Sequence, residues 1–111
     1  MIEAKIAKKI YRLHAELCKT LADPTRLEVL NLLRNSEKSV GELAALTSVR
    51  QATISQHLAI LRQKGVVLTR KDGTNIYYSV KNPKIIEASD IIKAVLFEQI
   101  TEMETLTANA R

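Results

Sequence analysis

Two short segments in the middle of the chain begin with the same helix-capping pattern. Ser39 is followed three residues later by Glu42, and Ser48 is followed at the same spacing by Gln51. At this spacing the serine hydroxyl and the later carboxylate or amide satisfy each other's backbone N–H groups in the first turn of a helix. We therefore predict two short helices joined by a tight turn, the second of which ends at Gly65.

Helical signals continue on both sides of this pair. In residues 3 to 22 the apolar side chains repeat at steps of three and four, and Asp23 with Pro24 supplies the cap and first position of a second helix that ends near Asn35. Asn82 and Pro83 begin a long helix in which apolar residues keep steps of three and four through Leu106. Because this apolar seam needs a partner, we expect another helix to pack on it.

A β-hairpin separates the short helices from the long one. Residues 66 to 71 and 75 to 80 are rich in β-branched and aromatic side chains, and they flank Asp72 and Gly73, which predict a two-residue type I′ turn. The predicted fold class is therefore mainly α with a small β-hairpin, in the order four helices, hairpin, long helix. A length of 111 residues corresponds to a single domain, 1–111.

Positive charge is concentrated in one part of the chain. Residues 50 to 82 carry six basic groups against Asp72 alone, and this +5 equals the net charge of the whole chain. A surface of this kind is suited to a polyanion such as DNA. No apolar run is long enough to span a membrane, so we expect a soluble, cytoplasmic protein with no membrane partner.

Two short helices with a tight turn, followed by a basic hairpin, are what a winged helix-turn-helix requires. The sequence also resembles the ArsR/SmtB family of winged-helix transcriptional repressors. Four segments carry the resemblance in the right order: Leu21–Leu27, Val40–Ala44, Ile54–Arg62 and Gly65–Val67. The resemblance implies a homodimer formed by the first and last helices, binding of double-stranded operator DNA through the fourth helix, and release on a signal.

The fourth helix offers the candidate base readers. Ile54 and Leu58 mark its buried face, and the opposite face carries Ala52 and Gln56, which are small or able to form paired hydrogen bonds with adenine. Gln56 is the best candidate for reading a base, and the resemblance implies further contacts at Gln51 and Ser55. Contacts to DNA phosphate are predicted for the basic residues Arg50, Lys64, Arg70, Lys71 and Lys81. Thr74 and Asn75, at the tip of the hairpin, are expected near the adjoining groove. His57 lies at the edge of the buried face, so we expect it to pack or hydrogen-bond within the protein.

The metal sites of the family lack their ligands here. Metal-sensing members carry a cysteine pair in the third helix, where this chain has no thiol, and Asp90 in the last helix is followed by no histidine. We therefore predict neither a metal nor another cofactor, and the effector is left open. His14 and Cys18 are four residues apart, a spacing that a metal could use, but Cys18 fits a core position or a redox sensor better.

Catalysis is not expected from this sequence. Its two histidines and single cysteine form no recognisable pair of nucleophile and base, and it has no glycine-rich phosphate loop. The remaining alternative to a DNA-binding regulator is a winged helix that docks on another protein without sequence-specific DNA binding. The concentration of charge around the fourth helix and the hairpin favours DNA.

Overall fold

A computed structural model describes residues 2 to 109 of the chain. The elements follow in the order α1 Ile2–Leu21, α2 Pro24–Leu32, β1 Lys38–Ser39, α3 Val40–Thr47, α4 Gln51–Gln63, β2 Val67–Asp72, β3 Asn75–Val80 and α5 Lys84–Asn109. The predicted order of helices and hairpin is confirmed, and β1 is an addition to it. The chain divides into two compact units, Met1–Lys81 and Asn82–Arg111. The single domain inferred from chain length stays a prediction.

The predicted caps form at α2 and α3. The Asp23 carboxylate accepts a hydrogen bond of 3.1 Å from the backbone N–H of Arg26, at the start of α2. At α3 both bonds of the capping box are present, because the Ser39 hydroxyl accepts from the Glu42 N–H and the Glu42 carboxylate accepts from the Ser39 N–H. At α5 the Asn82 side chain accepts from the Lys84 N–H at 3.0 Å. Local sequence thus determines where these helices begin.

The predicted capping box between Ser48 and Gln51 is wrong. Ser48 has φ 59° and ψ 27°, the left-handed conformation that ends α3, and α4 has Arg50 as its N-cap with no side-chain hydrogen bond. The chain has only three residues in which to turn from α3 into α4, and Ser48 is used for ending the first helix. The first N–H groups of α4 therefore have no side-chain cap.

Three antiparallel strands form a small sheet in the order β1-β3-β2. In the hairpin Asp72 pairs with Asn75, so the loop consists of Gly73 and Thr74 and not of the predicted Asp72 and Gly73. Of these two loop residues only Gly73 has positive φ, at 62°, which is the φ pattern of a type II′ turn and not of type I′. On the other edge of β3, Ser39 of β1 pairs with Tyr77. A strand of two residues leaves too little alternation to be recognised in the sequence.

The core of the first unit fixes the orientation of α4. Ile54, Leu58 and Leu61 of this helix are completely buried, as predicted. They share the core with apolar residues of the neighbouring elements, namely Val29, Leu30, Leu33, Leu43, Val66 and Val67. Gly65, with φ of 74°, turns the chain from α4 into β2. The opposite face of α4 is consequently directed to solvent.

Apolar side chains remain exposed on the two long helices. In α1 Ile6 and Ile10 are more than half exposed. In α5, described by itself, Ile92 and Met103 are more than 60% exposed, and Ile91, Val95, Leu96, Phe97, Ile100 and Leu106 are exposed as well. Within the described residues no helix is long and apolar enough to cross a membrane.

Candidate nucleic-acid interface

The outer face of α4 carries the predicted base readers. Gln51, Ala52, Ser55 and Gln56 are all exposed. At 100° per residue Ala52 and Gln56 lie opposite the buried Ile54, whereas Gln51 and Ser55 lie nearer to it, at the start of the helix. None of these four side chains forms a hydrogen bond within the described part of the chain. The amides and the hydroxyl are thus available to a base edge or a phosphate.

Gln51 lies in close contact with the preceding helix. A Cβ placed on Gly41 of α3 would lie 3.1 Å from the Gln51 side-chain nitrogen, which is closer than most such contacts. The absence of a side chain at Gly41 therefore allows the Gln51 amide to lie across the first turn of α3. No local pattern of residues links Gly41 to Gln51, so the sequence alone indicates no role for Gly41.

The hairpin places Lys71, Thr74 and Asn75 on the surface, together with Arg70. Arg70, however, is already bound within the protein. Its Nε lies 3.0 and 3.1 Å from the two Glu37 carboxylate oxygens, its Nη2 bonds the same carboxylate, and its guanidinium lies 4.9 Å from the centre of the Tyr77 ring. The hydrogen bond from Arg70 holds the pKa of Glu37 below its usual value. Glu37 is distant from the hairpin in sequence, so nothing in the local pattern indicated this pair.

The predicted phosphate contacts occupy both ends of α4. Arg50 precedes the helix and Lys64 follows it, so the two are separated by ~20 Å along the axis at 1.5 Å per residue. Lys64 lies beside Lys19 and Arg26 at the far end. The structure therefore separates Lys64 from Gln51 and Ser55.

His57 hydrogen-bonds within the protein, as predicted. Its Nδ1 accepts a hydrogen bond of 3.1 Å from Arg26 Nε, and its Nε2 lies 3.9 Å from an Asp23 carboxylate oxygen. The Arg26 Nη1 group also donates to the backbone carbonyl of Thr20 at 2.9 Å. The backbone hydrogen bond from Arg26, followed by the nearby His57, lowers the pKa of Asp23. This network connects the end of α1 and the start of α2 to the middle of α4. The role of Arg26 in it was not predicted from the sequence.

The thiol of Cys18 is free and exposed on α1. It lies in a shallow surface depression lined by Ala15, Glu16, Lys19 and Ala22. Residues 2 to 109 contain no group of three His, Cys, Asp or Glu side chains placed to hold a metal ion. The redox role suggested for Cys18 stays a prediction.

A short helix packed against a second helix with an exposed polar face, and a basic hairpin after it, define a winged helix-turn-helix protein. Residues 23–69 match the model of the bacterial regulatory proteins of the arsR family. The uncharacterized HTH-type transcriptional regulator Rv0081 of Mycobacterium tuberculosis is 37% identical over 107 residues, covering 92% of this chain and 94% of the relative. The chain therefore belongs to the arsR family of bacterial transcriptional regulators.

Solved structures support the same assignment. The crystal structure of Rv0081 matches with a TM-score of 0.75 at 38% identity, covering 84% of this chain and 94% of that one. A homodimeric winged helix-turn-helix DNA-binding domain from Mycobacterium bovis, solved by NMR, matches with a TM-score of 0.72 at 28% identity over 82% of this chain and 84% of that one. A biofilm growth-associated repressor from Agrobacterium fabrum is 41% identical over 81 residues, 73% of this chain and 69% of the relative.

Proposed function

We propose that this regulator is a repressor that binds a pseudo-palindromic operator as a homodimer, in the cytoplasm, and is released by a signal other than a metal. The observation that carries the proposal is the exposed polar surface of α4, where Gln51, Ser55 and Gln56 have no hydrogen-bond partner within residues 2 to 109. Placed in the major groove, this face offers paired amide hydrogen bonds to base edges.

Readout and charge are divided between different residues in this proposal. Gln56 reads a base, and Ala52 allows close approach to the groove. The uncapped N–H groups at the start of α4 and the Arg50 side chain bind phosphate. In the hairpin, Lys71, Thr74 and Asn75 contact the adjoining DNA backbone, and Arg70 joins them only when the Glu37 carboxylate no longer holds its guanidinium. Lys64 lies at the opposite end of α4, away from these groups.

Two observations support the homodimer. The apolar stripe of α1 and the apolar side chains of α5 are exposed in the single chain, and each needs a partner surface. The similar domain from Mycobacterium bovis is described as homodimeric. In a two-fold symmetric dimer two copies of α4 would read half-sites separated by one helical turn, ~34 Å.

The chemistry of the chain favours a non-metal signal. Its third helix contains no thiol, and Asp90 has no histidine after it with which to share a metal. Cys18 is the single cysteine, and its exposure in the isolated chain makes it accessible to an oxidant or a persulfide.

Footprinting of genomic fragments selected by the protein tests the proposal most directly. We expect symmetric half-sites about one helical turn apart, and a dimer by light scattering at micromolar concentration. A strictly monomeric protein, or one that protects no fragment at physiological salt, would refute it. In the second case the same fold would act by docking on another protein.

A further inference from the structure

A cleft of about 370 Å³ lies where the end of α1 meets α2 and the end of α4. Five residues line it: Glu16, Lys19, Thr20, Arg26 and Lys64. Three of these side chains are cations and one is a carboxylate, so the lining carries a net charge of +2. Within residues 2 to 109, neither Lys19 nor Lys64 forms an ion pair. The cleft therefore combines uncompensated positive charges from two different helices.

Arg26 is held in this cleft by hydrogen bonds from two of the three nitrogens of its guanidinium. Its Nη1 donates to the Thr20 carbonyl at 2.9 Å and its Nε donates to His57 Nδ1 at 3.1 Å. The second terminal nitrogen, Nη2, makes no hydrogen bond within the described residues. A guanidinium held in this way can still donate to an anion, and it contacts α4 through His57 at the same time.

The Lys19 side of α1 points away from the apolar stripe assigned to the dimer. At 100° per residue, Lys19 lies ~160° around α1 from the centre of the stripe formed by Ile6, Ile10, Leu13, Leu17 and Leu21. Packing of that stripe against a second copy would leave the Lys19 face of α1 exposed to solvent. The site is thus compatible with the proposed function, and its effect on DNA rests on that function.

We propose that this cleft binds a small phosphorylated anion, and that binding of the anion lowers the affinity of α4 for DNA. A phosphate dianion matches the net charge of +2, and ammonium and guanidinium groups are the usual donors to phosphate oxygens. The anion first binds the unused Nη2 of Arg26 and then draws the guanidinium away from His57, which removes the hydrogen bond between α2 and α4. Because such coupling is reciprocal, DNA lowers the affinity for the anion by the same factor.

Binding is tested first without DNA, by isothermal titration calorimetry with inorganic phosphate and with glycerol 3-phosphate. Glycerol and sodium chloride at equal ionic strength are the controls. We expect saturable binding of both phosphates and none of the controls. The paired variant Lys19→Gln/Lys64→Gln should bind at least tenfold more weakly, whereas the matched pair Lys5→Gln/Lys8→Gln, which removes the same charge elsewhere on the surface, should bind like wild type. Circular dichroism confirms that each variant is folded.

The effect on DNA is then measured by fluorescence anisotropy with the footprinted fragment. Saturating phosphate should weaken DNA binding about five- to tenfold in wild type and leave it unchanged in Lys19→Gln/Lys64→Gln. In His57→Ala the phosphate should still bind, but the effect on DNA should be lost. Full coupling in His57→Ala would overturn the proposed route.

Two other results are decisive. Phosphate binding that does not saturate, or that is equal in wild type and in the Lys19→Gln/Lys64→Gln variant, would overturn the site. If that variant instead reduced the salt dependence of DNA binding by about two phosphate contacts, without saturable phosphate binding in wild type, the cleft would be a DNA-backbone contact. A protein that binds phosphate saturably and no DNA would support the anion site and refute the proposed function separately.

Discussion

Replacement of Glu37 by glutamine should strengthen DNA binding by releasing Arg70. In the free protein the Glu37 carboxylate accepts three hydrogen bonds from the Arg70 guanidinium, which keeps that positive charge paired in the middle of the hairpin. A neutral amide cannot hold the guanidinium as strongly. Arg70 then becomes available for a DNA phosphate, although its side chain remains next to Tyr77.

The size of the effect follows from counterion release. One added phosphate contact steepens the plot of log K against log salt by about 0.9. Extrapolated from 1 M salt, where this contribution vanishes, the gain in affinity is about 15-fold at 50 mM and about 4-fold at 200 mM. The Glu37→Gln variant should therefore lose most of its advantage over wild type as salt rises.

Fluorescence anisotropy at four or more salt concentrations measures this slope. Glu28→Gln is the matched control, because Glu28 is exposed and unpaired within residues 2 to 109 and its replacement changes the net charge equally. Arg70→Gln alone should have little effect, and combined with Glu37→Gln it should abolish the gain. An unchanged slope in Glu37→Gln, or an equal gain in Glu28→Gln, would refute the reasoning.

Three further predictions concern readout, packing and capping. Gln56→Ala should weaken DNA binding by ~1–3 kcal/mol, mainly at one base position, whereas Lys71→Ala should weaken binding to all DNA sequences about equally and reduce its salt dependence. Fluorescence anisotropy with operator and random DNA measures both effects. Gly41→Ala should leave the free energy of unfolding in urea equal or raise it by up to ~0.5 kcal/mol, because alanine favours a helix. The same change should reduce operator affinity by displacing the Gln51 amide, and an unchanged affinity would contradict the role given to that contact. Asp23→Ala should lower the urea midpoint at pH 7, and its difference from wild type should shrink as the pH falls through the lowered pKa of Asp23, because the carboxylate stabilises the fold only while it is ionised. A difference in urea midpoint that stays constant between pH 7 and pH 2 would argue against the cap.

Local signals in the sequence predicted most of the fold. The caps at Asp23 and Ser39 and the buried stripe of α4 depend on residues within a few positions of one another, and all of them form as expected. The prediction for Ser48 was wrong because a serine at this position can either end α3 or cap α4. The local pattern is the same in both cases, and in the structure Ser48 ends α3.

The site was less predictable where it depends on distant residues. Exposure of Gln56 followed from helical periodicity alone. The pairing of Arg70 with Glu37 and of Arg26 with His57 joins residues more than thirty positions apart, and no pattern of residue types indicates either pair. From the count of basic residues, Arg70 was expected to be a free charge, although in the folded chain it is paired with Glu37.

Ser39 belongs to two structures at once, because it pairs with Tyr77 in the sheet and caps α3. The middle of β3 and the first helix of the helix-turn-helix are therefore joined through β1, in which Lys38 also pairs with Tyr78. An insertion in the loop between α2 and β1 would displace both together, whereas the tip at Gly73 and Thr74 has no such attachment within the described chain. Changes in tip length can thus alter how far the hairpin reaches along DNA while the helix-turn-helix keeps its geometry, which makes the tip the place where related regulators can diverge in sequence at least cost to the fold.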